Sequence, residues 1–248
     1  MKEKIYTIPV NEAYDQDCEC PLCVLQNQLE SEGIDYALGA AMMEPDYRQE
    51  SNAAGYCRRH FEMLHQKPNK LQLALVLESH LDEIRRKLSD FDQDAEAVKN
   101  TKTGLFKKSG AMELGAKLEQ SAAQIVSDCI ICRKIDHTME RYIDVLLYLW
   151  ANDEAFHEKF RRSKGFCMPH FQAACRGAQK YLKEAQAARF LHEILKKQEE
   201  ALSRLQDEIH HFTLKFDYRN QEMEWGTAKD SPERLCQKIG GAWNHSEN

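Results

Sequence analysis

The chain is poor in the residues that interrupt helices: 248 residues contain only 6 prolines and 11 glycines. A many-stranded architecture needs a turn every few residues and draws on both, so this sparse punctuation argues against an all-β fold and for helices. No apolar run reaches the ~18 residues of a membrane-spanning helix. The opening stretch MKEKIYTIPVNEAYDQD has no apolar h-region of a secretory signal. Positive charge is not in excess either. Lys and Arg total 34 against 40 Asp and Glu, a formal charge of −6, which argues against a sequence-independent grip on nucleic acid. The short basic runs Arg85-Arg86-Lys87, Lys107-Lys108 and Arg161-Arg162 read as solvated helix faces or linker. G-x-S-x-G, P-loop, G-x-G-x-x-G and H-E-x-x-H motifs are all missing, so no familiar catalytic constellation presents itself. The expectation is a cytoplasmic protein with no membrane span.

Cysteine, by contrast, is plentiful. Nine cysteines in a chain read as cytoplasmic need a reason other than disulfides, and ordered spacing then points to metal or thiol chemistry. Cys20 and Cys23 form a C-x-x-C in CECPLC, and Cys129 and Cys132 form another in DCIICRK. The frame Gly–aromatic–Cys–x–x–His–Phe occurs twice, as GYCRRHF from Gly55 and GFCMPHF from Gly165. From Cys20 to Cys57 is 37 residues and from Cys129 to Cys167 is 38. Repetition in one order at near-equal separation reads as an internal duplication.

Each unit is expected to run C-x-x-C, helix, loop, C-x-x-H, long helix, giving an all-α fold with each unit stapled by a metal site. The first helix is expected over Leu22 to Met43 in one copy and Arg133 to Ala151 in the other. Turn formers Pro45-Asp46 and Asn152-Asp153 mark the loops. In the long helices, Leu71, Leu75, Leu81, Ile84, Leu88 and Phe91 form one stripe, and Phe190, Ile194, Leu195, Leu202, Leu205 and Ile209 lie along the other. Both stripes read as packed core. The implied organisation is residues 1–99 and 111–212 as the two units, with a polar linker over 100–110. Residues 213–248 form an irregular tail with a short helix from Pro232 to Ile239, all within one compact domain.

Three thiols and one imidazole per unit match a tetrahedral zinc site. Read within units, the sites are Cys20, Cys23, Cys57 and His60, then Cys129, Cys132, Cys167 and His170, for two zinc ions per chain. The spacing equally allows exchange, one unit's C-x-x-C meeting the other's C-x-x-H. An iron–sulfur cluster is the alternative cofactor. Four protein ligands leave no open position, so the default role is structural, a staple joining two helix N-termini. Arg58, Arg59, Arg133 and Lys134 stand close enough in sequence to offset its charge. Cys18, Cys175 and Cys236 fall outside this scheme, and Cys18 is placed to act as an alternative ligand or an attacking thiol.

The CPLC pair, the twofold GΦCxxH and the ending HFTLKFDYRNQEMEWGTAKDSPER resemble a bacterial family catalogued as a domain of unknown function. The resemblance spans Cys20 to about Arg234, with CIIC here in place of a second CPLC. It implies no activity and no catalytic residue. Recognition chemistry is concentrated elsewhere, in the repeated tripeptide DYR: Asp46, Tyr47 and Arg48 in the first unit, and Asp217, Tyr218 and Arg219 in the tail, with Trp225 nearby. Arg and Tyr can bind carboxylates or phosphates and Trp can stack on a planar ligand. A tail folded against the PDYR loop would form one pocket. The reading is therefore a zinc-stabilised helical protein with two structural sites, acting through binding of a partner or small ligand. A redox- or metal-responsive thiol switch, or an enzyme using the tail pocket, stands as the alternative.

Overall fold

Sparse punctuation does give helices. The structure, a computed structural model, describes residues 4–100, 110–220 and 222–241. In chain order the helices are α1 (Lys4–Tyr14), α2 (Pro21–Ala37), α3 (Pro45–Ala54), α4 (Arg58–Gln66), α5 (Lys70–Ser89), α6 (Asp92–Asn100), α7 (Gly110–Ser127), α8 (Ile130–Asn152), α9 (Glu154–Arg162), α10 (Met168–Tyr181), α11 (Glu184–Leu214) and α12 (Ser231–Gly240). Short 3-10 turns fall at Ala40–Met43, Tyr218–Asn220 and Gly226–Ala228. Among the described residues there is no strand, and no helix is long and apolar enough to cross a membrane. Most of the proposed linker, residues 101–109, lies outside the described residues.

Several boundaries differ from the sequence reading for local reasons. Pro45 and Asp153 do not mark loops; they start helices. Pro45 occupies the first turn of α3, where its missing N–H costs nothing. The Asp153 carboxylate accepts from Phe156 N at 3.1 Å as the N-cap of α9. The long helix after His60 is split into α4 and α5, with Pro68 in the break. The apolar stripe expected as core in α5 is mostly solvent-facing, with Leu71, Leu75, Leu81 and Leu88 exposed. Leu73, Val76 and His80 are the buried face instead. In α11 the reading holds at Phe190, Ile194 and Leu205, while Leu195 and Leu202 are exposed.

The chain forms two compact units that do not follow the sequential halves: one is Met1–Leu29 with Asp136–Asn248, the other Glu30–Ile135. The boundaries fall inside α2 and α8. We call these the outer and inner unit by their place in the sequence. The outer unit packs a ring cluster at its centre. Phe160 meets Phe166 and Phe190, Trp150 meets Phe190 edge-on at 5.1 Å, and Tyr14 of α1 meets Phe156 at 4.9 Å. Gly177 lets α10 approach α8 closely: a Cβ there would stand 2.4 Å from Ile143 Cγ2.

In the inner unit α3 lies against α5, burying Tyr47, Ser51 and Ala54 on one side and Leu73, Val76 and His80 on the other. Arg48 donates to Ser79 Oγ at 2.7 Å across this contact, and Lys87 Nζ donates to Ala53 O at 2.9 Å. At the end of α3, Gly55 adopts φ of 69°, and a Cβ would stand 2.4 Å from His80 Nε2. Both the left-handed backbone and the missing side chain are needed there. Gly55→Ala is therefore expected to destabilise the protein by about 2–4 kcal/mol. Gly115→Ala, mid-helix in α7 with open space around it, is expected to stabilise by up to ~1 kcal/mol. Denaturant unfolding of the two variants beside the parent checks the opposite signs.

Candidate metal centres

The four short motifs share one local geometry. Cys57 and Cys167 are the N-caps of α4 and α10, with extended backbone at φ −72° and −68°. His60 and His170 are then the third residues of those helices. Cys20 and Cys129 stand immediately before α2 and α8, placing Cys23 and Cys132 at the same third position. N-cap and N3 side chains lie on one side of a helix start, the relation that a capping box uses. This explains the x-x spacing: either motif presents two ligands together from a helix N-terminus. The helix dipole there favours thiolates. Pro21, the first residue of α2, suits that position as well.

Two clusters result, each joining one C-x-x-C helix start to one C-x-x-H helix start. Cys20, Cys23, Cys167 and His170 come together in the outer unit, and Cys57, His60, Cys129 and Cys132 in the inner unit. In each, one ligand atom per residue lies within 4.8 Å of all the others, and the group could hold a metal ion. The arrangement corrects the within-unit pairing, since each C-x-x-C meets the C-x-x-H of the other sequence half. A backbone bond at the inner cluster shows why. Ile130 N, an orphan donor in the first turn of α8, donates to Gly55 O at 3.1 Å, tying the start of the CIIC helix to the segment just before α4. The corresponding segment at the outer cluster is held from α11, where Gln198 Oε1 accepts from Phe166 N at 3.4 Å.

In the outer cluster the Cys23 and Cys167 sulfurs are 3.4 Å apart, and His170 Nδ1 lies 3.5, 3.3 and 3.1 Å from the Cys20, Cys23 and Cys167 sulfurs. In the inner cluster the Cys57 and Cys132 sulfurs are 3.8 Å apart. His60 Nδ1 lies 3.3, 3.1 and 3.4 Å from the Cys57, Cys129 and Cys132 sulfurs. All four outer ligands are buried, whereas Cys57 and Cys132 of the inner cluster are partly exposed. The far nitrogen of His60 is fixed by a carboxylate: Nε2 lies 3.1 Å from Glu30 Oε1, and Glu30 also accepts from Arg59 at 2.6 Å. A carboxylate behind a ligating histidine sets its tautomer and orientation.

Without a cation, crowding forces the thiols apart in acidity. Hydrogen bonds, first from Cys132 and then from His60, pull Cys129 down to about 3 against its burial. Cys132 is pushed up by its bond to Cys129 and by burial. In the outer cluster Cys167 is pulled down to about 4 by hydrogen bonds from Cys20 and Cys23. Cys23 is pushed up by its bonds to Cys167 and Cys20 and then by burial. Burial alone would lower His60, but its bonds to Cys129 and Glu30 carry it up to about 10. Each cluster thus concentrates negative charge on one thiolate and keeps a neighbouring thiol protonated. Only a cation lets all the sulfurs ionise together.

The basic residues next to the motifs take other partners. Arg58 pairs with Glu62, Arg59 with Glu30, Arg133 with Asp128 and Lys134 with Glu50. Lys238 of α12 is fully buried near the outer sulfurs; burial pulls its pKa down, and the negative charge of Glu19, Cys20 and Cys167 opposes that shift. Its Nζ donates to Glu19 O at 3.0 Å and Lys164 O at 2.6 Å. Sequence reasoning missed Lys238 and Glu19. Their only signal was Glu19 standing beside Cys20. Cys18 joins neither cluster; burial first, and then the charge of Cys20, push its thiol up to about 11. Cys175 is half-buried and Cys236 exposed.

The two DYR tripeptides belong to different compact units and have different contacts. In the inner unit Tyr47 is buried edge-on to Tyr36 at 5.1 Å, Arg48 braces α5, and Asp46 is exposed in the first turn of α3. In the outer unit Asp217 pairs with Arg219 at 2.6 Å and Tyr218 is exposed. Trp225 packs on Phe212 and Phe216 beneath Lys215. Within each unit these contacts are those of packing and surface pairing.

The fold and the clusters define an all-helical protein with two Cys3His groups that could hold metal ions. The chain belongs to a family of unknown function, DUF6062, whose family model matches residues 1–246. No curated protein and no solved structure matches it.

Proposed function

We propose that the protein binds two zinc ions at structural sites, one in each compact unit, and acts by binding a protein partner or small ligand rather than by catalysis at the metals. The observation that carries this is the size of the clusters. Zinc bonds of about 2.3 Å to sulfur and about 2.0–2.1 Å to nitrogen give tetrahedral edges of about 3.8 Å between sulfurs and about 3.6 Å from sulfur to nitrogen. The clusters show 3.4 and 3.8 Å for the first and 3.1–3.5 Å for the second, close to what one ion would impose. Four protein ligands leave no place for substrate. Three thiolates and a neutral imidazole around a dication carry a net −1, and Lys238 supplies compensation at the outer site.

Matching helix starts and matching left-handed glycines, Gly55 at φ 69° and Gly165 at φ 82°, support a duplicated origin for the two halves. Exchange of partners between the halves then follows if the ancestral unit paired with a second copy of itself. Filling the inner site displaces the protons held by Cys132 and His60, so its affinity falls as pH falls.

Elemental analysis of the untagged protein, with an absorption spectrum of the same sample, tests the reading. Two zinc per chain and no visible absorption are expected. Iron with a brown chromophore would replace the zinc staples with iron–sulfur clusters, and a metal-free protein would end the metal reading altogether.

A further inference from the structure

The two clusters have the same ligands but not the same access. All four outer ligands are buried, while in the inner cluster two are partly exposed, Cys57 and Cys132. These two are also neighbours, with sulfurs 3.8 Å apart. They come from different helix starts, α4 and α8, so a bond between them would cross the site and take one ligand from each side.

We infer that the inner site is a peroxide-responsive metal-release site, in which Cys57 and Cys132 form a disulfide and the ion leaves, while the outer site keeps its metal. This deepens the zinc reading and rests on it. The chemistry balances with hydrogen peroxide as the oxidant. One of the two thiolates attacks a peroxide oxygen, becoming a sulfenic acid and releasing hydroxide. The second thiolate attacks that sulfur, forms the S–S bond and expels a second hydroxide. Two protons from solvent convert both hydroxides to water. Two electrons pass from the sulfurs to peroxide, and the metal keeps its charge. It has lost two of its four ligands and is left with Cys129 and His60.

Access decides which cluster reacts. Exposed thiolates are the ones oxidants reach, and buried ones react only through opening of the structure. The outer Cys23 and Cys167 sulfurs are closer still, at 3.4 Å, yet both residues are buried. Proximity alone would favour the outer pair and exposure favours the inner, so the two criteria give opposite predictions. The sulfurs of Cys57 and Cys132 need to approach from 3.8 Å to about 2.05 Å.

The experiment treats the full-length two-zinc protein with hydrogen peroxide, in parent and Cys18→Ser forms, the latter removing the free thiol nearest the outer cluster. Zinc release is followed with a colorimetric chelator. After denaturing alkylation the disulfides are mapped by mass spectrometry. One zinc per chain is expected to leave at least about tenfold faster than the other, together with a Cys57–Cys132 linked peptide. Cys132→Ser, which removes one of the two sulfurs, should abolish that peptide. Release of both ions in one phase overturns the inference, as does a first disulfide among Cys18, Cys20, Cys23 and Cys167. Failure of the zinc reading is a separate outcome, visible as absent metal before any peroxide is added.

Discussion

Replacing Cys167 with serine is expected to cost one metal ion per chain and to leave the outer unit unable to hold its fold. The substitution changes one atom, so lost packing is a minor term. The large term is the metal. Structural zinc contributes on the order of 10 kcal/mol or more to folding in small zinc domains, because the assembled site does not exist in the unfolded chain. A typical domain has about 5–15 kcal/mol of stability in total. The site's contribution is thus comparable with all the stability available, and the variant should do more than melt a few degrees early. Cys167 is the N-cap of α10, and its partners Cys20 and Cys23 open α2. Without the ion, the two helix starts face each other across the Cys20 and Cys23 sulfurs, the His170 imidazole and a serine hydroxyl, with nothing to bind them. Metal content per chain and the far-ultraviolet circular dichroism of the variant check this. Full metal content with an unchanged melt would show that Cys167 is not a ligand.

The eight clustered residues were legible in the sequence because the constraint that places them is local. An N-cap and the third helical residue are separated by two residues whatever the rest of the chain does, so C-x-x-C and C-x-x-H could be read as helix starts carrying paired ligands. Which start faces which was not legible. That is decided by tertiary contacts such as Ile130 N to Gly55 O, spanning 75 residues, and sequence spacing carries no information about them. The helical class was legible from sparse Pro and Gly, and part of the buried face of α11, at Phe190, Ile194 and Leu205, from its periodicity. The stripe in α5 misled because Leu81 and Leu88 lie beside, not on, the face formed by Leu73, Val76 and His80. A leucine-rich helix gives more apolar positions than one packing face can use. The division into interleaved units was invisible for a related reason: it cuts through α2 and α8, where composition does not change.

The charge that supports the outer cluster leads to the second large effect. Glu19 is buried, and its carboxylate accepts from Arg204 at 2.6 and 2.8 Å and from Arg234 at 3.3 Å, with Lys238 Nζ at 3.9 Å. Glu208 takes Arg204 at 3.1 Å and Arg234 at 2.6 Å, and Asp230 takes Arg234 at 2.9 Å. Three carboxylates therefore balance three cations, joining the residue before Cys20 to α11 and α12. Glu19→Ala removes the one acid that all three cations share. Truncating one partner of a buried ion pair typically costs about 3–5 kcal/mol; here buried Lys238 would lose the carboxylate beside it, while Arg204 and Arg234 keep Glu208. We expect a loss of that size in denaturant unfolding, with metal content still two per chain if the cysteines alone hold the ions. Combining Glu19→Ala with Lys238→Met removes an acid and the buried cation together, and the double variant should be more stable than the sum of the single losses by about 1–3 kcal/mol. Strict additivity would mean that Lys238 does not depend on Glu19, and that its two backbone carbonyl bonds, to Glu19 and Lys164, suffice to hold it. A positive coupling would make α12 part of the outer cluster's support, held to the Cys20 helix start by charge as well as by packing.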